Sequence, residues 1–205
     1  MKNKRLKVWP VIILLVCIIL IVCMFYVITS LKSKKTIKNE TVDTIEKYDY
    51  TLKENDSTYY KKLFVKLKDI LSKKQIDEKE YASIISKLFI IDLFSLEYAI
   101  NKNDIGGINY VYEYYKDTFI NKAKDTLYQN IESNIYGDRK QELPIVTNVE
   151  ITNIKIDNYN SNKISDNKAY YIDCTIDYKK NLDYPTEVNL ILVHNKNKLE
   201  IVSMK

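Results

Sequence analysis

Residues Val8 to Leu31, VWPVIILLVCIILIVCMFYVITSL, run for 24 positions without a charge, and no other feature constrains the chain as strongly. At about 1.5 Å per residue the run makes about 36 Å of helix, enough to cross a hydrocarbon layer of ~30 Å with some tilt. In lipid every backbone N–H and C=O must bond within the segment, which a helix achieves. Trp9 and Tyr26 stand near its ends, where amphipathic rings suit the two water–lipid boundaries. A soluble core helix of this length would carry a polar stripe, and this run has none. A cleaved signal peptide would have an apolar stretch of about 7–15 residues and then a small-residue site. Here the run is longer and ends on Val27, Ile28, Thr29 and Ser30. Cys17 and Cys23 each follow a valine, so neither reads as a lipoprotein cysteine. The expectation is an uncleaved, single-pass anchor in the lipid bilayer of a cell membrane.

Orientation is less constrained. Lys2, Lys4, Arg5 and Lys7 precede the span, and Lys32, Lys34, Lys35 and Lys38 follow it, so the positive-inside count is balanced. The first nine residues resemble the basic start of a signal peptide, which favours a cytoplasmic N-terminus with the remainder outside. The chain then divides into a tail (1–7), the span (8–31), a polar stalk (32–44, KSKKTIKNETVDT) and an extracytoplasmic domain (45–205).

The formal charge of +5 belongs mostly to the tail. Four of the 32 basic residues lie in positions 1–7, leaving 28 against 27 acidic ones. The soluble part is nearly neutral and Arg139 is its one arginine, which argues against a nucleic-acid partner. Outside the span there is one thiol, Cys174, so no disulfide forms within the domain. With His194 as the only histidine, a structural zinc site is not expected either.

Beyond the stalk, Ile45, Tyr48, Tyr50 and Leu52 hint at an extended segment. A helix opens at Asp56-Ser57 and carries Tyr60, Leu63, Phe64, Leu67, Ile70 and Leu71 on one face. A second starts at Asp77, with Glu80 as capping-box partner, and is apolar almost all round from Leu88 to Leu96, marking it as the central helix. Asn101–Asp104 breaks it. The spacing of Ile108, Val111, Tyr112, Tyr115, Phe119, Ala123, Leu127 and Ile131 predicts a third helix over 105–134, capped by Asp104, with Gly137 at its C′ position.

After Pro144 the period changes to two. Ile145, Val149 and Ile151 begin a strand whose facing switches at Ile154 and Ile156, as a bulge would cause. Tyr170, Ile172, Cys174, Ile176 and Tyr178 alternate with polar residues, as do Val188, Leu190, Leu192 and His194; Leu199, Ile201 and Ser203 follow a turn. The fold class is α+β: an apolar N-terminal helix, then about three helices (57–134) on a curved antiparallel sheet of about four strands (145–204). This order resembles the nuclear-transport-factor-two-like cone fold. With its anchor it is similar in architecture to the small scaffold subunits of bacterial conjugation and type IV secretion machines. The resemblance spans the chain without a residue-level motif, and implies an envelope scaffold rather than any site residue.

Several residues could carry chemistry. Asp92 interrupts the apolar stripe of the central helix, and a buried carboxylate there could act as a base. A helix break with Asp92 as a new N-cap, or a carboxylate held by a tyrosine hydroxyl, accounts for it better. His194 would have to serve any Ser-His or Cys-His centre, but no spacing supplies its nucleophile, so an edge or core histidine is expected. Asp173 and Asp177 fall on a solvated strand face. Asp104-Ile105-Gly106-Gly107 could bind an anion at a helix start, although a capped, closely packed helix start explains it better. Tyr110, Tyr112, Tyr114 and Tyr115, with Glu113 among them, exceed what one helix face can bury. Those left exposed suit protein or glycan contact.

The expected function is a non-enzymatic, membrane-anchored interaction or scaffold protein, self-associating or bound to other envelope proteins. No catalytic, cofactor-binding or metal-ligating residue is assigned and no cofactor is expected. The alternatives are a cone-fold pocket enzyme or small-ligand binder using Asp92 with His194, and a glycan binder using exposed tyrosines.

Overall fold

The structure, a computed structural model, describes residues 8–30, 36–37 and 39–205. It comprises two compact units, 1–36 and 37–205. Within the first, α1 (Val8–Ser30) is an uninterrupted helix. Its stretch Trp9–Val27 is long and apolar enough to cross a membrane, and none of it is covered by protein, unlike a soluble core helix. The tail (1–7) and residues 31–35 and 38 at the stalk lie outside the described residues.

The second unit begins earlier than the extended segment expected from sequence. Thr41–Ile45, whose first four residues fall in the stretch expected as stalk, forms β1, and pairs antiparallel with β2 (Tyr50–Lys53) through a one-turn 3-10 helix. Two helices follow, each started by a side chain that accepts from otherwise unpaired N–H groups. The Ser57 hydroxyl accepts from Tyr60 N at 3.0 Å to open α2 (Thr58–Ser72), and Asp77 accepts from Lys79 N and Glu80 N, both at 3.0 Å, to open α3 (Glu78–Phe94). Glu80 turns to α2, meeting Lys66 at 2.9 Å and Lys73 at 3.9 Å. Helix α3 buries residues on every side from Leu88 to Phe94 and packs on α2 and on three strands of the main sheet.

The expected third helix is largely replaced. Only α4, Lys116–Asp125, is α-helical; residues 105–115 form turns with two short 3-10 segments, and 126–130 is a turn. Tertiary contacts override the helical spacing here. Gly107 adopts φ +80°, the left-handed region, and Tyr112 N bonds to Ile201 O at 2.9 Å, drawing the segment to the sheet edge. Asp104 is not the expected cap, because it accepts from Ile100 N at 3.0 Å. Gly137 closes a turn on Asn134 rather than a helix.

The sheet is an antiparallel meander, β3 (Val146–Asn160), β4 (Ser165–Tyr178), β5 (Glu187–Asn195) and β6 (Lys198–Met204), in spatial order of sequence. Its inner face is the alternating set read from the sequence: Tyr170, Ile172, Cys174 and Ile176, with Val188, Leu190 and Leu192 beside them, are all buried. The facing switch on β3 is a bulge between Ile151 and Asn153, one of two built alike. In each, a Thr-Asn pair straddles one aspartate of β4: Thr147 Oγ1 and Asn148 Nδ2 donate to Asp177, and Thr152 Oγ1 and Asn153 Nδ2 to Asp173, at 3.0–3.1 Å. Asp173 and Asp177 therefore pin the bulges that twist the sheet around α3.

A Cβ on Gly106 would lie 2.0 Å from the backbone oxygen of Asp92, where no side chain can yield. Gly106→Ala is expected to cost about 3 kcal/mol or more. Urea unfolding of the full chain in detergent, followed by circular dichroism, reads that loss.

Candidate functional site

Asp92 sits near the end of α3, which continues through it to Phe94, so it is not a new helix start. Nor does a tyrosine hold it. Its Oδ2 accepts from the backbone N–H of Gly107 at 2.7 Å. Beside it, Tyr128 Oη accepts from Gly106 N at 3.0 Å and donates to Leu93 O at 3.0 Å. The two side chains clasp the 104–107 turn onto α3, which explains why glycines stand there.

Three carboxylates meet at this clasp. Asp56, Asp92 and Asp104 line one cleft with Lys53, Asn39, Ser95 and Tyr128. Asp56 Oδ2 accepts from Lys53 N at 2.7 Å, and Lys53 Nζ lies 3.7 Å from Asp104. Burial pushes the Asp56 carboxyl up to about 6, against the pull of the Lys53 N–H, and the charge of Asp92 adds to the rise. Burial likewise raises Asp92, countered by the Gly107 N–H and Lys53. The cleft volume is about 20 Å³, room for about one water molecule. Sequence reading had Asp56 only as a helix opener, since nothing local marks its approach to Asp92.

Behind the cleft lies a buried set of tyrosines. Tyr60 and Tyr110 hydroxyls are 2.5 Å apart, and those of Tyr50 and Tyr81 are 2.7 Å apart. Burial holds all four phenols well above their ordinary range, so they pair as neutral groups. Tyr110, from the aromatic run, thus belongs to the core.

His194 is elsewhere and does not line the Asp92 cleft. Its Nδ1 is 2.8 Å from Asp166 Oδ2, which also accepts from the His194 backbone N–H at 2.7 Å. Its Nε2 faces Glu78 at 3.6 Å, and Tyr170 donates to the same carboxylate at 3.3 Å. Burial alone would raise the Asp166 carboxyl, but bonds from His194 and Lys168 outweigh it and hold it low. With carboxylates at both ring nitrogens, the imidazole joins β4, β5 and α3 at the sheet end. Among the described residues no group of three His, Cys, Asp or Glu side chains is placed to hold a metal ion.

The rest of the aromatic run reaches the surface. Tyr114 is 59% exposed and meets Tyr115 edge-on at 5.2 Å, while Tyr112 and Tyr115 are half-buried over Ile164 and Val193 beside Tyr159 and Tyr171. Tyr115 also lines an apolar groove of about 170 Å³ between α4 and β6, formed with Phe89, Val111, Phe119, Ile201 and Met204. Comparison with known proteins gives no match to a family model, a curated protein or a solved structure.

Because its folded value is raised, Asp56 favours the folded state when protonated, and that contribution is lost as pH rises from about 4 to about 6. Asp56→Asn should therefore be more stable than wild type at neutral pH by about 1–2 kcal/mol, with the difference vanishing below pH ~4. Asp92→Asn keeps the acceptor for Gly107 and should hold the turn, whereas Asp92→Ala should lose about 1–3 kcal/mol. Urea titrations of the three variants across that pH range check both statements.

Proposed function

We propose that this chain is a single-pass, membrane-anchored interaction protein of the cell envelope, with a non-enzymatic domain that engages another protein. The observation that carries the reading is the continuous surface at Tyr115, where the apolar groove along β6 meets the exposed ring of Tyr114. Tyrosine and methionine supply contact area at such faces, and a groove flanked by rings suits an inserted side chain better than a reaction. The partner is another envelope protein or a second copy of the chain, as in a secretion- or conjugation-like assembly. The alternative of a pocket enzyme using Asp92 has in its support only the water-sized cleft beside that carboxylate.

The anchor is α1, with its N-terminus in the cytoplasm and residues 45–205 outside. The support for the span is the length and apolarity of Trp9–Val27, and for the orientation the likeness of the first nine residues to the basic start of a signal peptide, the basic count on the two sides being equal.

A photo-crosslinking amino acid in place of Tyr114 should yield discrete adducts in intact cells, and the same amino acid at the exposed Lys62 should not. Adducts at neither position, or equally at both, would remove the case for this face. For the orientation, Asn162→Cys in the exposed β3–β4 turn should react with a membrane-impermeant maleimide in unbroken cells. Labelling only after lysis would invert the topology.

A further inference from the structure

The one arginine of the second unit stands in an unusual state of charge. The Arg139 side chain is 1% exposed, yet among the described residues its one carboxylate contact is a 3.4 Å approach to Glu97. Its terminal nitrogens are spent on backbone: Nη1 donates to Ala99 O at 2.9 Å and Glu132 O at 3.4 Å, and Nη2 to Glu97 O at 2.6 Å. Its Nε–H is buried and has no partner among the described residues. A guanidinium does not give up its proton, so this is a buried charge with little neutralisation, an arrangement that ordinarily costs stability.

Arg139 also lines a cleft of about 280 Å³, together with Lys140, Lys179 and Lys180. The volume lies close to the lower end of small-ligand sites, about 300–1,000 Å³. Of the cleft's acids, Glu142 is taken by Lys180 and Glu97 by the long contact to Arg139. Among the described residues no carboxylate pairs with Lys140 or Lys179. Four cations thus face two carboxylates, in a unit whose overall charge is close to balance.

We infer that this cleft binds a phosphate group, with Lys140 and Lys179 making the contacts and the buried Arg139 supplying a fixed positive field behind them. Phosphate fits better than carboxylate for two reasons. The planar fork of the guanidinium, which would grip a carboxylate in a bidentate manner, is already occupied by carbonyls. What remains are lysine ammoniums, point charges suited to a tetrahedral anion, in a surplus that matches a phosphate monoester of about −1.5 to −2. The group can be a lipid headgroup or a soluble phosphate, and the two sources share this chemistry. The inference is independent of the contact face at Tyr115.

The test uses the full chain in phosphatidylcholine nanodiscs, titrated calorimetrically with inorganic phosphate at constant ionic strength. Wild type should bind saturably, with a dissociation constant on the order of millimolar. Lys140→Gln/Lys179→Gln should weaken binding at least about tenfold, by the loss of two charge-assisted contacts. Lys62→Gln/Lys74→Gln, which removes the same charge from outside the cleft, should leave it unchanged. If the headgroup is the native source, discs containing phosphatidate will compete away the inorganic phosphate; if a soluble phosphate is, both discs will give the same binding. No saturable binding in wild type, or equal weakening in the two double variants, overturns the assignment.

Discussion

Helix α3 has no wet face between Leu88 and Phe94, and that condition organises everything in the second unit. A helix that is apolar on one stripe needs one covering layer, whereas this one needs cover on all sides. Helix α2 takes one flank, and the meander takes the opposite one through Val149, Ile172, Leu190 and their neighbours. The remaining side is closed by the turn at 104–111, with Phe119 of α4 against Phe89. One polar side chain, Asp92, interrupts the apolar run, and its position decides how that last side closes. Its carboxylate needs a donor, the donor is the Gly107 N–H, and Gly106 lies too near the backbone of α3 to carry a Cβ.

Asp92 and Arg139 are therefore two solutions to one problem, the placing of a charge inside a small domain. Both are met mainly by backbone groups rather than by an opposite side chain. Asp92 has a second route, since burial favours its neutral form and protonation relieves the cost. A guanidinium has no such route. The difference explains why the cleft at Asp92 reads as a structural clasp, while the cleft at Arg139 keeps a net positive field that a ligand can satisfy.

Much of the framework was legible from local pattern. Alternation from Tyr170 to Tyr178 placed β4 and named its buried face, and Ser57 and Asp77 marked two helix starts by the oxygens that cap them. The facing switch on β3 was visible because a bulge shifts the alternation by one residue. The third helix failed for a physical reason. Ile108, Val111 and Tyr112 are spaced for a helix, but Tyr110 goes to Tyr60 of α2 and Tyr112 to Ile201 of β6, and together these outweigh a modest helical preference. Residues 41–44 carry no strand signal of their own, because β1 is short and polar and forms only by pairing with β2.

What the sequence by itself determined follows from repetition along the chain: an apolar run long enough to cross a bilayer, one amphipathic helix, one helix apolar almost all round and a four-strand antiparallel meander. Periodicity sums many weak, neighbouring preferences, so it survives without knowledge of the fold. What only the tertiary structure decided rests on single contacts between distant residues. Asp56 and Asp92 line one cleft, His194 meets Asp166 and Glu78, and Arg139 meets the carbonyls of Glu97 and Ala99 in a cleft it shares with three lysines. Such meetings carry no period, because each depends on where the packing around α3 brings two chain segments together.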